Sequence, residues 1–314
     1  MPLDRPRGSW YPCTGDQTAV PPELSAVRVF QRLVKSYLGA GASDRLSRYA
    51  YDGAYGLPQW QEISTFNYGY APCDDAVAEG WPNEPHQIQL YAEVVKAVQA
   101  AARASEPARL LEVCCGRGGG LAYLHATLSP RATIGVDRSL TALRHRRNGN
   151  AAIAHLQGHA LRLPLPEASI EVAVNVEALA DLPKLPFLAE ISRVLGANGI
   201  FAVTDTMPHG PEACHLGLID LGRKSGLELV SFRDITMNVC EACRIDDERR
   251  SELVKTFAPL PSANRPRMGV SARDDAVWAI RAEGAVLLHR GDGEEHRAPP
   301  IIGPGFHRNA RGWL

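Results

Sequence analysis

Lysine is scarce in this chain, with five residues against 29 arginines among 314, and no block of like charge occurs: the formal net charge is −1. So even a balance offers neither the basic stripe that attracts a nucleic-acid backbone nor a polybasic face for an anionic membrane surface. The arginine excess reads as the mark of a GC-rich genome, not of a binding function. Long apolar runs are missing as well; none approaches the roughly 20 residues of a membrane span. The N-terminus MPLDRPRGSWYPCTGD has no apolar core of signal-peptide length. A cytoplasmic protein without membrane insertion is expected. Regular cysteine pairing is absent too: the seven cysteines are scattered and two are adjacent (Cys114, Cys115), which fits free thiols in a reducing compartment. Cys240 and Cys243 alone have a metal-like spacing, and no second pair completes a zinc site. They are expected on one face of a helix, with no metal. What these absences leave is a small-molecule partner; a homodimer stays open.

What the chain does have is core-forming material, 45% hydrophobic residues over a length that exceeds one compact unit. From Glu23 to Leu38, apolar residues recur every three or four positions, which predicts an amphipathic capping helix. Residues 49–85 are rich in aromatics, glycine and proline without a period and read as a lid or pocket wall. From His86 the pattern turns regular. A helix through QIQLYAEVVKAVQAAA precedes the apolar runs ARLLEVC, ATIGVD, AAIAHLQ, IEVAVNV and GIFAVTD, which alternate with helical stretches. LELVSFRDI and AVLLHR are two further strands. Strands alternating with helices at this spacing specify a parallel sheet covered on both faces. The expected division is a cap over residues 1–85, a main domain over 86–290 and a surface-hugging tail over 291–314.

The loop after the first of these strands, in LLEVCCGRGGG, carries the chemistry. In an open parallel sheet ligands bind beyond the carboxyl ends of the strands. A dinucleotide fingerprint fails because Leu121 stands where the third glycine belongs, and a mononucleotide phosphate loop fails because Leu121 and Ala122 replace its lysine and hydroxyl residue. Glu112 at the end of the first strand would repel a pyrophosphate but suits a ligand bearing an ammonium and a sulfonium. Asp137, ending the next strand, can accept both hydroxyls of a ribose. The combination describes S-adenosylmethionine (SAM).

LLEVCCGRGGG, IGVDRS, the stretch around NVEA and RVLGANGIFAVTD, in that order, resemble the motifs of SAM-dependent methyltransferases over roughly residues 86–290. Within them the chain is similar to small-molecule methyltransferases of lipid and natural-product pathways, such as the phthiotriol and phenolphthiocerol methyltransferases, through CCGRGGGLAYL, NVEA, FNYGYA and RDITMNVCEACRIDDERR. The resemblance implies an α/β fold, a Rossmann-like methyltransferase sheet with a helical N-terminal cap. It also implies SAM as cofactor and methyl transfer to oxygen or carbon of a small lipophilic or aromatic acceptor.

Carried over residue by residue, the resemblance puts Glu112, Gly116 and Gly118 around the methionine part and Asp137 on the ribose. Gly158, His159 and Ala160 go beside the adenine, with Cys114, Cys115, Arg138 and Asn175 completing the cofactor set. Cys114 departs from the family by replacing its first loop glycine, and His159 stands where an acid is common.

Glu177, in NVEA, is the candidate base or cation stabiliser, weighed against a SAM-contacting carboxylate. Phe66, Tyr68 and Tyr70 are expected at an apolar acceptor pocket, or else in the core of the cap. Asp205 and His209 follow the fifth strand toward the same mouth, where Asp205 can equally cap the next segment. His86 and Gln89 are read as an exposed helix start near the cofactor, and Arg117 as a solvated loop residue. A SAM-type fold without transfer chemistry, serving as a cyclase or binding partner, is the rival reading; NAD-dependent oxidoreduction comes third.

Overall fold

The structure is a computed structural model that describes residues 52, 55–56, 63–72, 84–101, 107–144, 151–206, 211–246 and 283–289. The expected capping helix at 23–38, His209 and the tail at 291–314 lie outside the described residues. The elements are α1 (Pro85–Ala101), β1 (Arg109–Val113), α2 (Gly119–Leu128), β2 (Ala132–Asp137), α3 (Leu140–Arg144), β3 (Ile153–Gln157) and β4 (Ile170–Val176). A 3₁₀ turn (Leu179–Asp181) leads to α4 (Lys184–Val194), β5 (Leu195–Thr206), α5 (Pro211–Ser225), β6 (Glu228–Asp234), α6 (Thr236–Ile245) and β7 (Glu283–His289).

The seven strands form one sheet in the order β3-β2-β1-β4-β5-β7-β6. Pairings from β3 through β5 are parallel, as the alternating pattern predicts. β7 differs: it lies antiparallel between β5 and β6. An apolar run such as AVLLHR reads the same in either direction, so its sequence carries no mark of orientation.

Period-two alternation splits each central strand between two layers. Leu110, Val172, Val174 and Ala202 pack with α1 and α2 on one face. Their neighbours Leu111, Ala173, Phe201 and Val203 pack with α4 on the other. Both layers are buried, which is why these strands are apolar on both faces. The turn at Gly196 to Gly199 sits inside β5, where the register against β4 jumps from Ile170↔Leu195 to Val172↔Ile200. Among the described residues no helix is long and apolar enough to cross a membrane.

α2 starts at Gly119, so Gly119 and Gly120 lie in its first turn. Both are there for close packing: a Cβ on Gly119 would lie 2.3 Å from Ser64 Oγ, and one on Gly120 would lie 1.8 Å from Tyr91 Cζ.

Candidate functional site

A cavity of about 540 Å³ opens beyond the carboxyl ends of β1, β2 and β4, within the range of small-molecule sites. Its floor is the loop from Val113 to Arg117, and its walls are Val136 to Ser139, Gly158 to Leu161, Val176 to Ala178 and Asp181 to Pro183. The remaining side comes from Tyr55, Tyr91 and residues Ser64 to Asn67 of an irregular strap.

The floor is a folded-back turn. Cys114, Gly116 and Gly118 all have left-handed backbone angles, φ 63°, 54° and 78°. Cys114 thus tolerates the angle that the glycine it replaces would adopt freely, while its amide and that of Cys115 donate to Val136 O at 2.7 and 3.2 Å. Asp137 ties the turn from below, accepting Gly116 N at 2.8 Å and Ser139 N at 2.8 Å. Burial pushes its carboxyl above the ordinary value, opposed by those two amides and by Arg138. Each of its oxygens keeps a second lone pair for a hydroxyl.

The strap, Ile63 to Pro72, has no regular structure, and long-range bonds fix it instead. Glu84, buried just before α1, receives the amides and hydroxyls of Ser64 and Thr65. Gly119 N donates to Ser64 O at 3.2 Å, Tyr70 N to His86 O at 2.9 Å and Ala71 N to Asn238 O at 3.1 Å. Arg117, fully buried, donates to Ile63 O at 3.0 Å and to Tyr55 O, and its guanidinium lies 5.7 and 5.9 Å from the rings of Tyr55 and Phe66. The expected solvated role of Arg117 is therefore corrected: it nails the strap to the glycine turn. Glu177 meets the strap from β4, its two oxygens accepting Tyr68 N at 3.0 and 2.9 Å. A left-handed φ of 51° aims it from the strand end.

Ten of the expected site residues share this cavity: Phe66 and Glu177 join Cys114, Cys115, Gly116, Asp137, Arg138, Gly158, His159 and Ala160. Others do not line it, each for a visible reason. Gly118 turns its Cα toward β3, where a Cβ would lie 2.7 Å from His155 Nε2. Asn175 is fully buried and staples β4 to β1 through Nδ2 to Val113 O at 2.9 Å. Tyr68 offers its backbone to Glu177 while its ring packs against the core. Tyr70 is buried, with the Arg233 guanidinium 5.9 Å from its ring centre. Asp205 is buried and accepts Ala180 N at 2.8 Å, so it caps the 3₁₀ turn. Gln89, read as exposed, is buried and donates to Glu93 Oε1 at 3.3 Å. Cys240 and Cys243 sit on α6 as free thiols, Cys243 buried. Sequence reading missed Tyr55, Ser64, Thr65, Asn67 and Tyr91; only the crowding of aromatics before the sheet hinted at them.

Glu112 lies directly behind the floor, 1% exposed, bonded through Oε1 to the Tyr91 hydroxyl at 2.8 Å. Its Oε2 has no partner among the described residues. Burial first, then the nearby Asp137 charge, raise its pKa from 4.5 to about 8, against the lowering effect of the Tyr91 bond. A carboxyl whose folded pKa is raised stabilises the fold fully below the unfolded value, and that stabilisation is lost as pH climbs toward the folded value. Glu112→Gln should therefore gain thermal midpoint relative to the native chain as pH rises from about 4.5 to about 8. Parallel melting curves across that window would mean that Glu112 is already ionised in the folded chain.

The arrangement suits a nucleoside with cationic groups: a carboxylate at the end of β2 for a ribose, a tight glycine turn, and Glu177 and Asp181 on the walls beside Arg117 and Arg138. The buried unpartnered oxygen of Glu112 and the glycine-sized clearance over Gly116, where a Cβ would lie 2.9 Å from Tyr55 Oη, fit such a ligand. Known proteins agree. A methyltransferase-domain family model matches residues 111–203. The phthiotriol/phenolphthiotriol dimycocerosates methyltransferase of Mycobacterium tuberculosis H37Rv is 32% identical over 241 residues, 73% of this chain and 84% of that one. The probable phthiotriol/phenolphthiotriol dimycocerosates methyltransferase 2 of Mycobacterium ulcerans is 33% identical over 52% of this chain, and the match spans 64% of that protein. The fatty-acid O-methyltransferase of Mycolicibacterium smegmatis is 34% identical over 47% of this chain, and that match spans 54% of its length. The fold is also that of a sarcosine dimethylglycine methyltransferase structure from Galdieria sulphuraria, at TM-score 0.57 and 16% identity, covering 78% of this chain and 98% of that one. The chain belongs to the SAM-dependent methyltransferases, in the family of the phthiotriol/phenolphthiotriol dimycocerosates methyltransferases.

Proposed function

We propose that this chain methylates an oxygen or carbon of a small lipophilic or aromatic intermediate, with residues 86–290 as the transferring unit and residues 1–85 as its cap. The observation that carries the reading is that Asp137, Glu177 and Phe66, from β2, β4 and the strap, line one cavity. SAM, when bound, supplies an electrophilic methyl on a sulfonium whose leaving group, a thioether, needs no acid. The chain's part is then mainly positioning and exclusion of water. Asp137 would hold the ribose, the turn from Cys114 to Gly116 would lie beside the methionine part, and His159 and Ala160 would flank the adenine. Phe66 and Tyr55, edge to face with ring centres 4.8 Å apart, form the apolar side that suits an acceptor. Glu177 takes the proton of a hydroxyl acceptor or stabilises positive charge on a methylated double bond. The lipid-pathway names of the relatives support a lipophilic acceptor.

The test is transfer of labelled methyl from SAM to phenols, prenyl diphosphates and polyketide-like hydroxyls. Uptake by one class supports the reading. A protein that binds SAM tightly yet labels none would favour a cyclase or binding partner instead. Asp137→Ala should weaken SAM binding by roughly 1–3 kcal/mol with folding retained, measured by calorimetry. Unchanged affinity in a folded variant would remove the ribose role.

A further inference from the structure

Tyr91 lines the cavity, yet neither the sequence motifs nor the proposed chemistry has a use for it. It stands on α1, 6% exposed, and the first half of that helix is buried on all sides, from Gln87 to Val95. Its seat is built for it: the Cβ absent from Gly120 would fall 1.8 Å from Tyr91 Cζ and 2.3 Å from its Oη. The ring therefore occupies a notch in the first turn of α2, and its hydroxyl passes through to Glu112 Oε1 at 2.8 Å.

We infer that Tyr91 and Glu112 form a switchable counter-charge for this cavity, neutral while no cation is present and ionised when a sulfonium or ammonium group occupies it. The inference rests on the cavity being the SAM site, and adds that binding drives a proton out. Four observations support it. Glu112 is almost fully buried, one of its two oxygens lacks a partner among the described residues, its single bond is to a phenol, and that phenol reaches the cavity wall.

Burial and the neighbouring acids favour the neutral pair, the Tyr91 bond lowers Glu112, and the guanidiniums of Arg117 and Arg138 share the cavity lining. Asp137, from the end of β2, pushes the Glu112 carboxyl toward its neutral form, as does burial. Burial first, then Glu112, and lastly Cys115 and Glu177 push the Tyr91 phenol up, so it stays protonated. α2 brings Gly120 against the Tyr91 ring, and its Leu121 and Leu124 share the surrounding apolar cluster. A carboxyl in such a place is held toward its neutral form, and Oε2, without a partner among the described residues, is the oxygen left to carry the proton. A cation in the adjacent cavity favours the charged form. The O–H bond of Glu112 then breaks with its electron pair left on the carboxylate, and the proton leaves to solvent. Once the methyl group has gone, the sulfonium is a neutral thioether and only the ammonium holds the carboxylate ionised. The couple therefore favours the methyl donor over the demethylated product.

Calorimetry at about pH 7, in buffers of unlike ionisation enthalpy, reads the proton directly. The native chain should release close to one proton on binding SAM, less on binding S-adenosylhomocysteine and none on binding adenosine. Glu112→Gln should release none. Native SAM affinity should rise up to tenfold per pH unit below about pH 8 and level off above it. Tyr91→Phe, which strips Glu112 of its remaining partner, should move that levelling point to higher pH. SAM binding with no proton exchange and flat pH dependence would overturn the counter-charge and leave the cofactor assignment standing. Release that persists in Glu112→Gln would overturn it as well. Failure of SAM to bind the folded native chain at any pH would overturn the cofactor assignment itself.

Discussion

Replacing Glu177 by glutamine should lower turnover by about 10²–10⁴-fold, the usual contribution of one general base or charge-stabilising group. Glutamine keeps the size of the side chain and still offers a carbonyl oxygen to Tyr68 N, so the strap contact survives in weakened form. What disappears is basicity and charge at the one acid that joins β4 to the strap. SAM affinity, read by calorimetry beside single-turnover methyl transfer, should change little. If binding and turnover fall together, Glu177 is a cofactor ligand. If turnover is unchanged, transfer depends on proximity alone and the carboxylate serves to hold the strap.

Arg117→Ala should cost about 2–5 kcal/mol of stability, because it leaves the carbonyls of Tyr55 and Ile63 without their donor and empties a large buried volume. The guanidinium serves two carbonyls and two aromatic rings at once, a planar fork that lysine cannot reproduce, so Arg117→Lys should recover only part of the loss. Chemical denaturation measures both. Losses under about 0.5 kcal/mol, the level of an ordinary surface substitution, would mean that the strap holds without its nail.

Most of the sheet and the glycine turn could be read before the structure, because their signals are local. Strands such as IEVAVNV are apolar on both faces, and the turn announces itself by Gly116 and Gly118 followed by an acid at the next strand end. Asp137 and Glu177 were legible for the same reason, since in a parallel sheet the end of a strand is also the edge of the site.

The strap was not legible. FNYGYA alternates its three rings with the period of a strand yet forms none, and which ring faces the cavity is decided by Glu84, Glu177 and Arg233, partners that lie far off in the chain. Tyr91 was hidden differently. In QIQLYAEVV it has the spacing of a core residue, and nothing local reveals that its hydroxyl meets Glu112. Asp205 shows the limit of strand-end reasoning: it is placed like a substrate contact, but the 3₁₀ turn at Leu179 comes close enough to claim its carboxylate.

Hydrogen–deuterium exchange with and without S-adenosylhomocysteine, alongside NAD, tests most directly that one strap-roofed cavity at the ends of β1, β2 and β4 holds the cofactor. The account predicts that S-adenosylhomocysteine slows exchange in the segments around Cys114 to Gly118, Asp137 to Ser139 and Gly158 to Leu161, and in the strap from Ile63 to Tyr70, while NAD slows none. Protection by NAD in these segments, or protection by S-adenosylhomocysteine that leaves the turn and the strap unchanged, would contradict it.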